Sequence, residues 1–399
     1  DDTWGGTIEM SGGNLNLQNT AKTGSLNQID GTLNITGNKF DLNNSADLID
    51  GGIVNIGNGT TSSRLNVSKG TITADATVNI NEKASLNING GNVTLNNDDT
   101  WDGNVSISGG SLALVGINKT NGTFSQTGGS TTVNGKTFDL NNDNDYIAGG
   151  DLTIGSDNIS SEMSVSKGSI SKDTNINITN NSTLNVNGGN VELGSNGKWD
   201  GKINITEGNL TLNNSTKNPT GSFTQSGGKT TIVGNGLNFD NFEDSVTGGI
   251  LNIGNGTTES NLTISQGYID SAATVNINRK GQLSIAGGEV NLDSGDSWYG
   301  NIDITDGTLS IDNLNKNSTG KFTQSGGKTT ITGDYFELNN SADNISGGTL
   351  NIGSNSKSPT TLEISQGTIE QGAKVNINNC STINVTTSGI LNLDNSDKW

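Results

Sequence analysis

Apolar and polar residues alternate at period two along nearly the whole chain, and the alternation breaks at glycine corners. Leu86-Asn87-Ile88-Asn89 leads into Gly90-Gly91, and Asn92-Val93-Thr94-Leu95 leads out. The same pattern surrounds Gly109-Gly110 (Val105-Ser106-Ile107, then Leu112-Ala113-Leu114) and Gly287-Gly288 (Leu283-Ser284-Ile285, then Val290-Asn291-Leu292). Period two is strand spacing, with one face buried and the other wet. Val78-Asn79-Ile80, Ile176-Asn177-Ile178, Val275-Asn276-Ile277 and Val375-Asn376-Ile377 predict a third short strand in some rungs. No window keeps a 3.6 period, so the pattern predicts essentially no helix.

The pattern is itself periodic. The five tryptophans stand at Trp4, Trp101, Trp199, Trp298 and Trp399, at steps of 97, 98, 99 and 101. Four repeats follow, over 4–100, 101–198, 199–297 and 298–398, as one continuous segment. Glycine corners recur every 18 to 22 residues, five to a repeat. Short strands repeated at that interval predict an all-β fold, a parallel β-solenoid of about 20 rungs of 18–22 residues, in which each rung buries its apolar side against its neighbours. At about 4.8 Å per rung this is a rod on the order of 95 Å long. The chain ends in the phase in which it starts, so it is expected to be a fragment of a longer array.

Composition narrows the function classes. Only 29% of the 399 residues are hydrophobic, and Gly 58 stands against Pro 2, which suits a thin core with many tight corners. The net charge of −19 argues against electrostatic binding of nucleic acid or anionic membranes. No apolar run approaches the ~18 residues of a spanning helix, so no direct membrane insertion by this segment is expected. Cys380 is alone, which excludes an internal disulfide. The chain has no histidine, hence neither the commonest general base nor the commonest transition-metal ligand. A polysaccharide lyase or glycosidase working on carboxylates is the enzyme class that survives.

With rungs reading roughly x-L-x-I-x-G-G-x-L-x-L, rich in Gly, Asn, Thr and Ser, acidic and poor in Cys, the chain resembles the passenger regions of bacterial autotransporters and the filamentous-haemagglutinin-like exoproteins of two-partner secretion. The resemblance covers the whole chain. It implies a right-handed parallel β-helix, exported and displayed outside a Gram-negative cell, either anchored at the outer membrane or secreted. No Gly-Asp-Ser-Gly protease motif and no Arg-Gly-Asp tripeptide is present. The expected function is non-catalytic: an extended, rigid fibre or stalk segment of an adhesin. Its expected partners are surface glycans or proteins of host or neighbouring cells, or other copies of itself. A self-assembling filament or sheath subunit is the second reading, and a carbohydrate-active enzyme the third.

Several residues break the apolar pattern once per repeat. Asp47, Asp145, Asp244 and Asp343 occupy a column that other rungs fill with Leu, Ile, Val, Met or Phe, at steps of 98, 99 and 99. A carboxylate facing inward needs a partner or a raised pKa. Because it recurs in every repeat, it is expected to bond the backbone rather than to catalyse. Gln28, Gln126, Gln225 and Gln324 recur in the preceding rung and are expected to satisfy backbone groups at a local irregularity. Trp4, Trp101, Trp199 and Trp298 carry two readings: a cover over the core edge at a wide corner, or an exposed platform for stacking a sugar ring. No cofactor is expected. Calcium is the one candidate ion, from the acidic groups Asp98-Asp99, Asp293 with Asp296, and Asp394 with Asp397, although the Gly-Gly-x-Gly-x-Asp pattern of calcium β-rolls is missing.

Overall fold

The computed structural model describes residues 3–37, 39–135, 138–156, 158–354 and 359–399. It divides into two compact units, residues 1–202 and 203–399. Each is a parallel β-solenoid with no helix among its described residues, and the two together hold about 18 turns.

One turn in the first unit shows how the alternation becomes a wall. Ala84–Asn96 is a single strand bent at Gly90-Gly91. Its inward residues Ala84, Leu86, Ile88, Val93 and Leu95 are at most 2% exposed. Thr100–Trp101 supplies the third side of the turn. Leu86 lies directly over Val105 on one side and Leu65 on the other, and Val93 over Leu112 and Ile72. Like residues therefore stack in columns, and the core is a file of β-branched and leucine side chains down the middle of the prism. The expected third strands are present as Thr77–Ile80, Asn175–Ile178, Thr274–Ile277 and Lys374–Ile377.

Outside, the polar halves of the strands also stack. Asn34 donates to Asn16, Asn55 to Asn34 and Asn79 to Asn55, each at 2.8 Å, so one face carries a continuous amide ladder. The corners stack as tightly. Gly110 has φ +77°, and a Cβ there would lie 2.1 Å from the Gly91 carbonyl oxygen, so only glycine lets one corner sit on the next.

The repeat is not a whole number of turns. Gln28 pairs in register with Ile49, then Ile72, Val93, Leu112 and Thr131. Five steps down the column thus arrive five residues beyond Gln126, across the Gly128-Gly129 corner. In the second unit, the column from Gln225 runs through Val246, Ile269, Val290 and Leu309 to Thr329, past Gln324 in the same way. Each repeat is one face short of five turns. This is why the count is about 18 turns rather than the 20 expected from one glycine corner per rung. Gly52 sits over Gly31, but Gly70 sits over the Asp47 turn, where its Cβ would meet the Asp47 Cβ at 2.8 Å. The glycine column changes side once per repeat, at the aspartate.

Candidate functional site

The most concentrated chemistry lies inside the wall, around the recurrent aspartates. Asp47 Oδ1 accepts the Leu26 N–H at 2.9 Å, and Oδ2 accepts the Asn44 N–H at 2.9 Å. The carboxylate therefore holds its own turn and fastens it to the preceding one. It also pairs with Lys22, and both side chains are fully shielded from solvent. Lys22 lies on the short strand Ala21–Lys22, under Trp4. Its Nζ also donates to Gly24 O at 3.2 Å and Asn43 Oδ1 at 3.1 Å.

The arrangement recurs in every repeat. Lys119 meets Asp145 Oδ2 at 2.6 Å and contacts Asn141 Oδ1. Lys316 meets Asp343 Oδ2 at 2.9 Å, Asn339 Oδ1 at 2.7 Å and Gly320 O at 3.0 Å. In the third repeat an aspartate replaces the asparagine: Lys217 lies 2.5 Å from Asp240 Oδ1, 3.1 Å from Asp244 Oδ2 and 2.9 Å from Gly221 O. Asp145, Asp244 and Asp343 accept the N–H groups of Phe124, Phe223 and Phe322, each at 2.8 Å, as Asp47 accepts that of Leu26. Burial pushes the Asp343 carboxyl up against the opposing pull of Lys316, and it pushes the Lys316 amine down. Burial likewise raises Asp244. Both directions favour a neutral pair.

Residue spacing marks the aspartates in the sequence but not, at first sight, their lysine partners. The signal is present: Lys22, Lys119, Lys217 and Lys316 each stand 18 residues after a repeat-opening tryptophan.

The glutamines close the corners. Gln126, fully buried, donates from Nε2 to Gly149 O and Asp151 O, each at 3.0 Å, and its Oε1 accepts Thr131 Oγ1 at 2.7 Å. Gln324 repeats this with Thr349 O at 3.2 Å and Thr329 Oγ1 at 2.8 Å. Gln28 donates to Gly31 O and Ile53 O, and Gln225 to Gly248 O and Ile250 O, but their Oε1 atoms have no partner.

Three of the tryptophans lie inside. Trp101, Trp199 and Trp298 are 1% exposed, and each indole N–H donates at 3.0 Å to a carbonyl two residues on, at Gly103, Gly201 and Gly300. An indole so enclosed presents no face to a sugar, and the platform reading does not hold for these three. Trp101 packs on Phe124 and Phe138, Trp298 on Phe322 and Phe336, and the half-buried Trp4 on Phe40.

The acidic groups beside the tryptophans act as turn clamps. Asp99 accepts the Val78 and Asn96 N–H groups at 2.6 and 2.7 Å, and Asp296 accepts those of Val275 and Asp293 at 2.6 and 2.8 Å. Burial pushes both carboxyls up to about 6. Asp397 holds Val375 and Asp394 in the same way. Among the described residues, no group of three or more His, Cys, Asp or Glu is placed to hold a metal ion.

The outer surface has its own repeating feature. A loop projects between the strands Ile53–Ile56 and Ser63–Val67, its tip tied by Asn58 Oδ1, which accepts the Thr60 and Thr61 N–H groups at 3.0 and 3.1 Å. Beside it an open groove of about 360 Å³ is lined by Ser62, Arg64, Lys83, Ser85 and Asn104. The second unit has a groove of about 610 Å³ lined by Glu259, Asn261, Lys280, Gln282 and Asn301, each 197 residues further along. Its neighbouring loop is tied by Asn255 as the first is by Asn58.

Fold and interior together define a repeat protein of the β-solenoid class. Within it, residues 43–108 are similar to a family described as repeats of unknown function (DUF5649), a stretch running from the Asp47 turn into the second repeat. No curated protein and no solved structure matches the chain.

Proposed function

We propose that this chain is a segment of an extended, non-catalytic surface fibre of a bacterial adhesin, acting outside the cell. The observation that carries this reading is a division of labour. The aspartate, lysine, glutamine and tryptophan side chains that could do chemistry point inward and hold rungs together, whereas the feature that recurs on the outside is an open polar groove beside a projecting loop. Copying such repeats adds length, about 4.8 Å per turn, and, at the two-repeat spacing of these grooves, another groove, without altering the interior. The resemblance of the rungs to autotransporter passengers and haemagglutinin-like exoproteins supports an extracellular location. The grooves, lined by Asn, Ser and Gln with one or two basic residues, suit the hydroxyls of a glycan or a polar protein surface.

Negative-stain electron microscopy across a concentration series, paired with binding of the labelled segment to cells and glycan arrays, tests this. Rods that bind, whether separate or joined at their ends, with binding weakened in Arg64→Ala/Lys83→Ala, support the reading. Filaments or sheets without ligand binding replace it with self-assembly, and depolymerisation of a polysaccharide by the purified segment overturns it.

A further inference from the structure

The buried lysine clusters contain more than an ion pair needs. Each aspartate already has two backbone donors, yet each lysine amine also faces a side-chain carbonyl. Nζ lies 3.1 Å from Asn43 Oδ1 in the first repeat, 2.7 Å from Asn339 Oδ1 in the fourth, and in contact with Asn141 Oδ1 in the second. In the third it lies 2.5 Å from Asp240 Oδ1. We propose that these clusters close autocatalytically into intramolecular amide cross-links, Lys22–Asn43, Lys119–Asn141 and Lys316–Asn339 with release of ammonia, and Lys217–Asp240 with release of water. Asp47, Asp145, Asp343 and Asp244 carry the protons. The proposal does not depend on the fibre reading.

The reaction needs a neutral amine, a polarised carbonyl and an acid to protonate the leaving group, all kept from water. The site supplies each. A carbonyl bond is about 1.2 Å long, so an amine at hydrogen-bond distance from Oδ1 needs only a small shift and a turn of its lone pair to reach Cγ. Lysine and aspartate side chains in all four repeats have no solvent exposure. In the fourth repeat that burial pushes the Lys316 amine down and the Asp343 carboxyl up, which favours passing the proton from the lysine to the aspartate. A neutral carboxyl, sharing the lysine amine with the carbonyl, is the acid that would polarise that carbonyl oxygen as the amine attacks.

The Nζ lone pair forms the new C–N bond while the C=O π pair moves onto oxygen. The aspartate takes a proton from the attacking nitrogen and delivers one to the carboxamide nitrogen, and the old C–N bond breaks to release ammonia. In the third repeat a carboxyl oxygen leaves as water instead. Nothing is oxidised or reduced.

The surroundings fit. Asn43 Nδ2 donates to Lys22 O at 3.2 Å and Asn339 Nδ2 to Lys316 O at 3.5 Å, which orients the leaving groups. Trp4 stands one rung above Lys22, and Trp298 one rung above Lys316, each with a phenylalanine against it, giving the cluster an apolar lid. Every link would join one rung to the next, in a chain whose single cysteine provides no covalent alternative.

Denaturing intact-mass spectrometry of the 399-residue segment, with peptide mapping, tests the proposal on the unmodified sequence. The expected mass is about 69 Da below that of the sequence, about 17 Da for each lysine–asparagine link and about 18 Da for Lys217–Asp240, with branched peptides joining the named residues. A mass equal to that of the sequence overturns it. So does a deficit without branched peptides, as succinimides at Asn-Gly steps would give. Asp145→Asn should abolish the Lys119–Asn141 branch and leave the other three, and persistence of that branch overturns the proton-carrying role.

Discussion

Thr131 and Thr230 stand at the same place, five residues after a buried glutamine, yet their environments differ. Thr131 donates to Gln126 Oε1, whereas neither Thr230 Oγ1 nor Gln225 Oε1 has a partner. Thr131→Val, which keeps the shape and removes the donor, should therefore cost about 1–3 kcal/mol, and Thr230→Val should be near neutral or stabilising. Chemical denaturation of the two variants side by side measures the difference. A second prediction concerns Asp99 and Asp296, whose carboxyls hold their protons up to about 6 when folded, against 3.8 ordinarily. Between those values the folded chain binds more protons than the unfolded one, so stability falls as pH rises through that window and is flat above it. Thermal unfolding should give a higher midpoint at pH 4.5 than at pH 7.5, and Asp99→Asn/Asp296→Asn should flatten the slope. The inward aspartates and glutamines were legible in the sequence because a polar residue in an apolar column is conspicuous. Their lysines were not, since a lone lysine among Thr, Ser and Asn reads as a solvated surface residue, and only its constant offset from tryptophan marks it.

A rung is a strand bent at a glycine, and period-two alternation is enough to draw it. Ala84–Asn96 and Gly281–Leu292 follow the sequence pattern residue by residue. The tryptophans were harder to place because each sits on a two-residue strand such as Thr100–Trp101 or Ser297–Trp298, too short to show a period, with Asp and Asn nearby suggesting solvent. The number of turns was hidden for a related reason. Glycine corners arrive at an even interval whether or not they stack on the previous one, and the change of side at Asp47 leaves no trace in spacing. The corners themselves admit a sharp test. Gly110→Ala puts a Cβ 2.1 Å from the Gly91 carbonyl at a residue with φ +77°. Both the clash and the backbone angle oppose it, so the expected loss exceeds the ~1 kcal/mol of an ordinary strained glycine site, read from the shift in denaturation midpoint. Gly59, equally left-handed but with open space around its would-be Cβ, serves as the control carrying only the backbone term.

At the scale of the whole chain, the final turn leaves its inner side uncovered. Val385, Leu393 and Trp399 are 47%, 37% and 77% exposed, whereas the matching positions one repeat earlier, Ile285, Leu292 and Trp298, are at most 2% exposed. An uncovered rung edge also offers unpaired strand hydrogen bonds. The purified segment should associate end to end as concentration rises, and Leu393→Lys should shift its sedimentation toward the monomer while leaving unfolding of the remaining turns unchanged. The shortfall of one face per repeat has a different consequence. Within each unit, moving by one repeat carries every recurring feature to the adjacent side of a three-sided prism. Copy number in such an array is therefore a bearing as well as a reach. Within a unit, losing one repeat re-aims whatever lies beyond it there by a third of a revolution.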